Sequence, residues 1–403
     1  MNRLTIGVLG VFGAGNLGNE ATLTAFLQLL KAGHPDTRIV CICYNTELVE
    51  KTYGISTFAV GGGPKLANNS GREAGLLARI KKRLLKNSPV NFVRTLSIVR
   101  SCKALVIPGT GVLDDYGTSP GGLPWLLFRW CLAARLCSVP VKYIGVGAGP
   151  IVNPRSRRLM GWAARLASYR SYRDQNSKNF AQSIGVNTQS DPVIPDLAFY
   201  FTETNSQRQT NRRSAMHIGL GIMSYYGWQC DQAAGAKIFD AYLDKIVCLA
   251  HWLLNEGHSL QILIGEFSDQ SAVDKFFERL KPNLSAEQRD RIAFSDQQTM
   301  DDLLTQIAPL DVVITSRYHN LVAAFCRGVP VISIGYGSKC AALMEDFGLG
   351  DLYQDIDTFS VEALRNQFLS ATARLESLSD SILSRALQHK ALLTQTVEAA
   401  CCS

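Results

Sequence analysis

The chain is 403 residues long, and 46% of its residues are hydrophobic while 19% are charged. This balance is typical of a soluble globular protein with more than one core, and it excludes the disordered and membrane-spanning classes. The formal net charge is +7, and the eleven cysteines lack zinc-ligand spacing, so we expect free thiols in the cytoplasm and no metal site.

Short apolar runs rich in β-branched residues alternate with longer amphipathic stretches along the chain. The predicted strands are 4–9, 38–43, 56–60, 104–107 and 141–146 and, after a polar stretch, 217–223, 260–265, 291–294, 312–315 and 331–335. Strands that alternate with helices favour parallel sheets covered on both faces. The predicted fold class is therefore α/β, with two doubly wound Rossmann-like domains facing a central cleft. The predicted domains are 1–201, a polar linker 202–214, and 215–403, which ends in helices.

The first predicted strand leads into GAGNLG at 13–18, which has the G-x-G-x-x-G spacing of dinucleotide-binding loops. Such a loop needs an acidic residue at the end of the second strand to hold the ribose, but that strand ends in CYNT at 43–46. An NAD-binding site is therefore disfavoured. We expect instead a bare loop at a helix N-terminus, whose amides receive an anion or sugar oxygens.

The segment 72–103 is the most basic part of the chain, with nine Lys and Arg residues against Glu73 as its one acid. Its first half, REAGLLARIKKRLLK at 72–86, spaces apolar residues along one helical face with cations opposite. A solvated helix face is one interpretation. Peripheral contact with anionic lipid headgroups, or with the pyrophosphate of a lipid-linked substrate, is the other. Nucleic acid is disfavoured because no aromatic residues lie between the bases.

Charged side chains follow two neighbouring strands of the second predicted domain. SRYHN at 316–320 follows one strand, and YGSK at 336–339 follows the next. If strand geometry continues past residue 315, Arg317 and His319 lie on one side. With Lys339 they predict a cationic cluster that repels itself unless an anion fills it. Since imidazole titrates near neutral pH, His319 is the candidate general acid or base, with a structural histidine as the alternative.

Polar residues also follow the strands of the first predicted domain. Asp114 and Asp115 come after the glycine-rich stretch 109–111, and YRSYRDQNS at 169–177 carries Arg173. Adjacent aspartates on a strand point apart and no third ligand is evident, so a metal site is disfavoured. Hydrogen bonds to substrate hydroxyls and a role in capping a loop both stay open for these aspartates.

The order of these motifs resembles the polysaccharide pyruvyl transferase family, over nearly the whole chain. The pair Arg317 and His319, with Lys339, is the most specific part of the resemblance. The matching pieces are GNLGNEA (15–21), IPGTGVLDD (107–115), GVGAGP (145–150), YRSYRDQNS (169–177), DPVIPDLAF (191–199) and TSRYHNLVAAFCRGVPVISIGYGSK (315–339).

The resemblance implies a fold like that of the type B glycosyltransferases. It implies an enzyme that moves the carboxyvinyl group of phosphoenolpyruvate onto sugar hydroxyls of a polysaccharide precursor, releasing phosphate and closing a pyruvate ketal. Phosphoenolpyruvate is then a co-substrate and no cofactor is needed, while the acceptor is a sugar or a lipid-linked oligosaccharide. His319 would protonate the methylene carbon, and Arg317 and Lys339 would hold the anionic groups of the donor. The implied donor side is Lys339, Arg173, Asn320 and Ser338, and the implied acceptor side is Gly15, Asn16, Gly18, Asn19, Glu20 and Asp114.

The chain departs from the family pattern at two positions, both on the implied acceptor side. Asn19 stands where the family loop carries aspartate, and Thr110 replaces a glycine. One alternative function is a type B glycosyltransferase with a nucleotide-sugar donor, but its E-x7-E pair is absent because Tyr353 lies eight residues after Glu345. The other is a non-catalytic protein that binds carbohydrate or phosphate.

Overall fold

The computed structural model of the chain describes residues 4–61, 89–115, 118–203, 215–227, 232–295 and 299–402. Its contacts form two compact units. The first unit comprises Met1–Ala14, Thr22–Leu197 and Leu392–Ser403, and the second comprises Gly15–Ala21 and Ala198–Ala391. The domain bounds drawn from the sequence stay predictions.

The first unit is built on a six-stranded parallel sheet with the order β3-β2-β1-β4-β5-β6. Its strands are β1 (Thr5–Leu9), β2 (Arg38–Cys43), β3 (Ser56–Ala59), β4 (Ala104–Pro108), β5 (Val141–Val146) and β6 (Tyr169–Tyr172). The helices that precede or connect them are α1 (Leu17–Gly33), α2 (Thr46–Tyr53), α3 (Pro89–Arg100), α4 (Leu123–Leu136), α5 (Pro154–Arg165) and α6 (Gln175–Ser183). The first turn of α1 belongs to the second unit.

The second unit repeats this topology with the order β12-β11-β10-β7-β8-β9. Its strands are β7 (His217–Gly221), β8 (Ser259–Leu263), β9 (Ile292–Phe294), β10 (Val312–Thr315), β11 (Val331–Gly335) and β12 (Tyr353–Asp355). Its helices are α7 (Gln232–Asn255), α8 (Gln270–Leu280), α9 (Ala286–Asp290), α10 (Met300–Ile307), α11 (Tyr318–Cys326), α12 (Ser338–Asp346), α13 (Val361–Thr372) and α14 (Leu375–Cys402). In each sheet the first strand lies between the second and the fourth, which is the doubly wound arrangement. The predicted α/β class with two Rossmann-like domains is confirmed.

Two strands, β6 and β12, lack the apolar pattern that predicts the other strands, and both lie at a sheet edge. The β6 segment YRSY alternates tyrosine with polar residues, and β12 is the polar YQD. Interior strands such as β4 and β11 are buried at every position, so they read as apolar runs. An edge strand has one neighbour and needs no such run, which is why apolar patterning misses it.

Each unit has its own hydrophobic core between the sheet and its helices. The first is centred on Trp130, Tyr143 and Tyr172, and the second includes Phe276 and Phe325. Six of the cysteines in the described part of the chain are buried in these units, as free thiols. No described helix combines the length and apolarity that crossing a bilayer requires. The part of the basic segment that precedes α3 lies outside the described residues.

Candidate active site

The third glycine of the opening motif, Gly18, lies directly against the imidazole of His319. A Cβ atom at position 18 would overlap Cε1 and Nδ1 of that ring, so only glycine allows the ring to lie there. Both residues belong to the second unit, Gly18 at the start of α1 and His319 in the first turn of α11. The glycine therefore makes room for a histidine side chain of this chain.

Asn16 caps helix α1 and ties the loop to the strand-end region after β8. Its Oδ1 accepts hydrogen bonds from the backbone N–H groups of Gly18 (3.0 Å) and Asn19 (3.1 Å). Its Nδ2 donates to a carboxylate oxygen of Glu266, and the two residues form an isolated antiparallel bridge. The expectation that the loop amides stand open for a ligand is wrong for Gly18 and Asn19, because Asn16 already satisfies them.

Arg317, the N-cap residue of α11, is held by a buried carboxylate. Its Nε and Nη2 donate to the two oxygens of Asp269 at 2.8 and 2.5 Å, and Nη2 lies 3.2 Å from Glu266. The side chain of Asp269 is 0% exposed. Burial by itself lowers the pKa of Arg317, but attraction and hydrogen bonding to Asp269 outweigh it and raise that pKa above its ordinary value.

Backbone amides complete the surroundings of Asp269. Its oxygens accept from the N–H groups of Ser224 (2.9 Å), Glu266 (3.2 Å) and Gly265 (3.4 Å). With these donors and the guanidinium of Arg317, both oxygens of the buried Asp269 have hydrogen-bond partners. Asn16, Glu266, Asp269 and Arg317 thus form one hydrogen-bonded group, called here the Arg317 cluster.

The Arg317 cluster corrects two expectations drawn from the sequence. Strand geometry does not persist through residue 318, because α11 begins at Tyr318; Arg317 contacts Asp269 while His319 contacts Gly18. The cations also need no external anion to offset their repulsion, because two carboxylates accompany Arg317. Arg317 is therefore held in place by Asp269 and Glu266, and an incoming anion would compete with Asp269 for its guanidinium.

The side chains of Lys339 and His319 each lie near the ring of Tyr318. Strands β10 and β11 are parallel neighbours, so their following helices begin at the same sheet edge. The His319 ring lies edge-on to Tyr318 with centroids 5.2 Å apart. The ammonium of Lys339 lies 5.7 Å from the Tyr318 centroid and 4.5 Å from that of Tyr336, within the range of cation–π attraction.

The two other donor-side residues of this unit differ in accessibility. Ser338 is exposed at the first position of α12, where its helix has no side-chain cap. Asn320 is 0% exposed, and its Nδ2 donates to Thr315 Oγ1 at 3.3 Å inside the unit. Of these two, Ser338 is the one that solvent or a ligand reaches in this arrangement.

The remaining predicted residues lie in the first unit. Arg173 follows β6, with Nη1 3.8 Å from Asp196 and Nε 3.4 Å from Asp174. Asp115 caps the start of the α5 region, accepting from the N–H groups of residues 152 (2.9 Å) and 153 (2.8 Å). For Asp115 this settles the open alternative in favour of a loop cap, whereas Asp114, which is half-buried, stays a predicted acceptor residue.

Sequence reasoning missed Glu266 and Asp269. The rule that finds them, that charged residues following parallel strands mark a site, was applied to other strands but not to β8. Both follow β8, whose carboxyl end lies beside that of β7 in the second sheet. A search of every strand end for charged residues would include the sequence GEFSD at 265–269. Pairing with Arg317, 48 residues away, is visible only in three dimensions. Within the described part of the chain, no three acidic, histidine or cysteine side chains converge as metal ligands do.

Two Rossmann-like units of this topology define the GT-B-like class of α/β proteins. The fold is similar to that of a putative UDP-N-acetylglucosamine 2-epimerase from Listeria monocytogenes, with 11% identity, a TM-score of 0.56, and 95% of this chain and 91% of that chain covered. It is similar to a UDP-GlcNAc 2-epimerase from Neisseria meningitidis (11% identity, TM-score 0.54, 94% and 93% covered) and to the glycotransferase of kitacinnamycin (12%, 0.54, 99% and 98%). At such identities the likeness concerns the fold alone.

The family is defined by the sequence. The profile of the polysaccharide pyruvyl transferase family matches residues 16–338, so the chain belongs to that family of transferases. No curated protein matches the chain significantly in sequence. The matched region begins at Asn16 and ends at Ser338, and it therefore includes the Arg317 cluster and His319.

Proposed function

We propose that the chain transfers the carboxyvinyl group of phosphoenolpyruvate onto two hydroxyls of a sugar, closing a pyruvate ketal on a polysaccharide precursor. Membership of the transferase family supports the proposal. The proposed acceptor is a free sugar or a lipid-linked oligosaccharide. The proposed location is the cytoplasm, with peripheral contact at the inner face of the membrane.

The reaction needs a proton donor and a way to remove hydroxyl protons. A proton adds to the methylene carbon, C3, and C2 gains oxocarbenium character. Two sugar oxygens bond to C2, the bond between C2 and the phosphate oxygen breaks, and inorganic phosphate leaves. One hydroxyl proton balances the new methyl group and the other leaves on phosphate.

We assign the proton donor to His319 and the main anion contact to Lys339. Imidazole can carry and deliver a proton near neutral pH, and His319 is half-buried, which lets a small substrate reach it. The ammonium of Lys339, beside Tyr318, supplies a point charge for phosphate or carboxylate. Arg173, in the first unit, is the further cation proposed for the donor.

The Arg317 cluster has two roles in this scheme: Arg317 positions His319, and Glu266 accepts a proton. Arg317 acts as a positioning residue, because its bonds to Asp269 fix the backbone from which α11 and His319 begin. Glu266 keeps 30% of its side chain exposed, against 0% for Asp269. We therefore assign to Glu266 the acceptance of a hydroxyl proton from the sugar.

The contact between His319 and Gly18 is the observation that carries the proposal. The half-buried ring of His319 is restricted on one side by the backbone of Gly18, which it could not approach if that residue had a side chain. A general acid needs a defined position relative to the carbon that it protonates. A histidine that only filled the core would be enclosed, as Phe325 on the same helix is.

The test is an assay with phosphoenolpyruvate and a panel of free and lipid-linked oligosaccharides, following phosphate release and the mass of the glycan. Wild type should release phosphate and add the pyruvate ketal. His319→Gln should lower the rate about a hundredfold to ten-thousandfold, as expected for loss of a general acid. His251→Gln, a half-buried histidine on α7, is the matched control and should keep the wild-type rate.

Equal rates for His319→Gln and wild type would refute the role of His319. Release of a nucleoside diphosphate from a nucleotide sugar, without phosphate release from phosphoenolpyruvate, would favour a type B glycosyltransferase instead. Binding of phosphoenolpyruvate or glycan without turnover would favour the non-catalytic alternative.

A further inference from the structure

Three adjacent helices of the first unit form a layer without a single carboxylate. Helix α3 packs on α4, and α4 packs on α5. The sequence of residues 89–103, 123–136 and 154–165 contains no Asp and no Glu. Most protein surfaces mix both signs of charge, so three acid-free helices, with Asp115 as a bordering carboxylate at the start of α5, have a predominantly positive potential.

Exposed arginines supply the charge of this layer. Arg155 and Arg158 lie on α5, one turn apart, and both are exposed. Arg100 and Arg135 are exposed near the ends of α3 and α4. These four arginines belong to three helices that pack side by side, and none has a carboxylate within its own helix.

A row of aromatic rings runs across two of these helices, α4 and α5. Trp125 and Phe128 on α4 have ring centroids 6.0 Å apart, and Phe128 and Trp162 on α5 are 5.7 Å apart. Trp162 is 46% exposed, although it is a large apolar side chain. Val93 on α3 and Leu136 on α4 are also exposed, at 64% and 62%.

We infer that this α3–α5 face docks on the surface of an anionic lipid bilayer. Exposed tryptophan and leucine flanked by arginines is the composition of interfacial helices, in which the rings enter the headgroup level and the cations meet lipid phosphates. Each base near an anionic membrane adds attraction that salt screens. A second copy of the chain would bring like charges together, so charge complementarity favours lipid over self-association.

The inference uses residues outside the Arg317 cluster and does not depend on the proposed reaction. It also extends the sequence expectation for 72–103, because α4 and α5 lie beyond that segment. Docking through this face would present the protein to acceptors anchored in the same bilayer.

The test is co-sedimentation with vesicles of phosphatidylcholine alone and of phosphatidylcholine mixed with phosphatidylglycerol, at low and high salt. Wild type should bind the mixed vesicles and lose binding at high salt. The double variant R155E/R158E should lower the partition coefficient at least about tenfold, since two attractive charges become repulsive. Trp162→Ala should lower it by a smaller factor at every salt concentration.

The matched control is K31E/K51E, which makes the same change in net charge on exposed lysines of α1 and α2 in the same unit. It should bind within about twofold of wild type, because those lysines lie off the α3–α5 face. Unchanged binding by R155E/R158E, or an equal loss in K31E/K51E, would overturn the inference. So would a Trp162→Ala variant that binds as wild type does, or one that changes only the oligomeric state.

Circular dichroism and thermal unfolding confirm that each variant is folded before it is compared. Phosphate release with a water-soluble acceptor should be the same for R155E/R158E and wild type. Loss of vesicle binding with retained turnover supports the docking face. Absence of turnover in wild type would count against the proposed reaction and not against the docking face.

Discussion

An arginine stands at a strand end in each sheet, and the two are held very differently. Arg317 in the second unit makes a bidentate pair with the fully buried Asp269 at 2.8 and 2.5 Å. Arg173 in the first unit lies 3.8 Å from Asp196 and 3.4 Å from Asp174. Short paired bonds fix Arg317 in place, whereas the longer contacts of Arg173 cost less to exchange for a ligand.

This difference changes which cations are suited to hold a substrate anion. A guanidinium that left Asp269 would strand a buried carboxylate, which is costly. Arg173 lies 3.8 Å from Asp196, and Lys339 lies against the rings of Tyr318 and Tyr336, so we expect both cations to respond more readily to phosphate or carboxylate. Arg317 then contributes geometry more than binding.

The largest effect should come from removing Asp269. Asp269→Ala leaves Arg317 buried without its main partner and should lower the free energy of unfolding by about 3–5 kcal/mol. Asp196 in the first unit is also buried, but it lies 3.8 Å from Arg173, so Asp196→Ala should cost less than Asp269→Ala, about 1–3 kcal/mol. Urea denaturation of both variants measures the two losses. Equal losses would show that the two aspartates stabilise their arginines equally, which would contradict the proposed difference.

The next effect concerns the glycine beneath His319. Gly18→Ala places a Cβ where the imidazole lies, so the ring must move and the free energy of unfolding should fall by about 1–3 kcal/mol. Phosphate release should fall with it, because the proposed acid is displaced. Gly121→Ala is the control, since a Cβ there meets no atom within 4 Å. A Gly18→Ala protein with wild-type stability and turnover would contradict the close contact.

The smallest effect concerns the exposed carboxylate of Asp346, which pairs with Arg385 and His389 and contrasts with the buried Asp269. Burial raises the pKa of Asp346, but hydrogen bonds from His389 (2.8 Å) and Arg385 outweigh this and lower it overall. A lowered pKa stabilises the fold above the ordinary carboxyl range, and this stability is lost as pH falls through the folded-state pKa. Asp346→Asn should remove that pH dependence and cost below about 1 kcal/mol, because the side chain is 36% exposed. Unfolding curves from neutral pH down through the ordinary carboxyl range and below it measure this loss; an unchanged pH slope in the variant would refute the assignment.

Much of the fold follows from the apolar patterning of single segments. Strands β2, β5, β10 and β11 have the bounds that their sequences predict, because each is an apolar run enclosed by turn residues. The edge strands β6 and β12 do not follow from it, since partial exposure removes the pattern. In the candidate site, Arg317, His319 and Lys339 could be found because strand ends of parallel sheets collect ligand-binding residues.

The sequence by itself determined that the chain is α/β, that it belongs to a family of transferases, and that charged residues follow shortly after β10 and β11. These properties are local, because they depend on patterns within short segments and on motifs that a profile can match. Only the tertiary structure decided that Asp269 pairs with Arg317, that Asn16 binds Glu266, and that the ring of His319 lies against Gly18. Each of these contacts joins residues far apart in the sequence, and no rule of spacing along the chain determines which carboxylate or glycine a given cation or ring will contact.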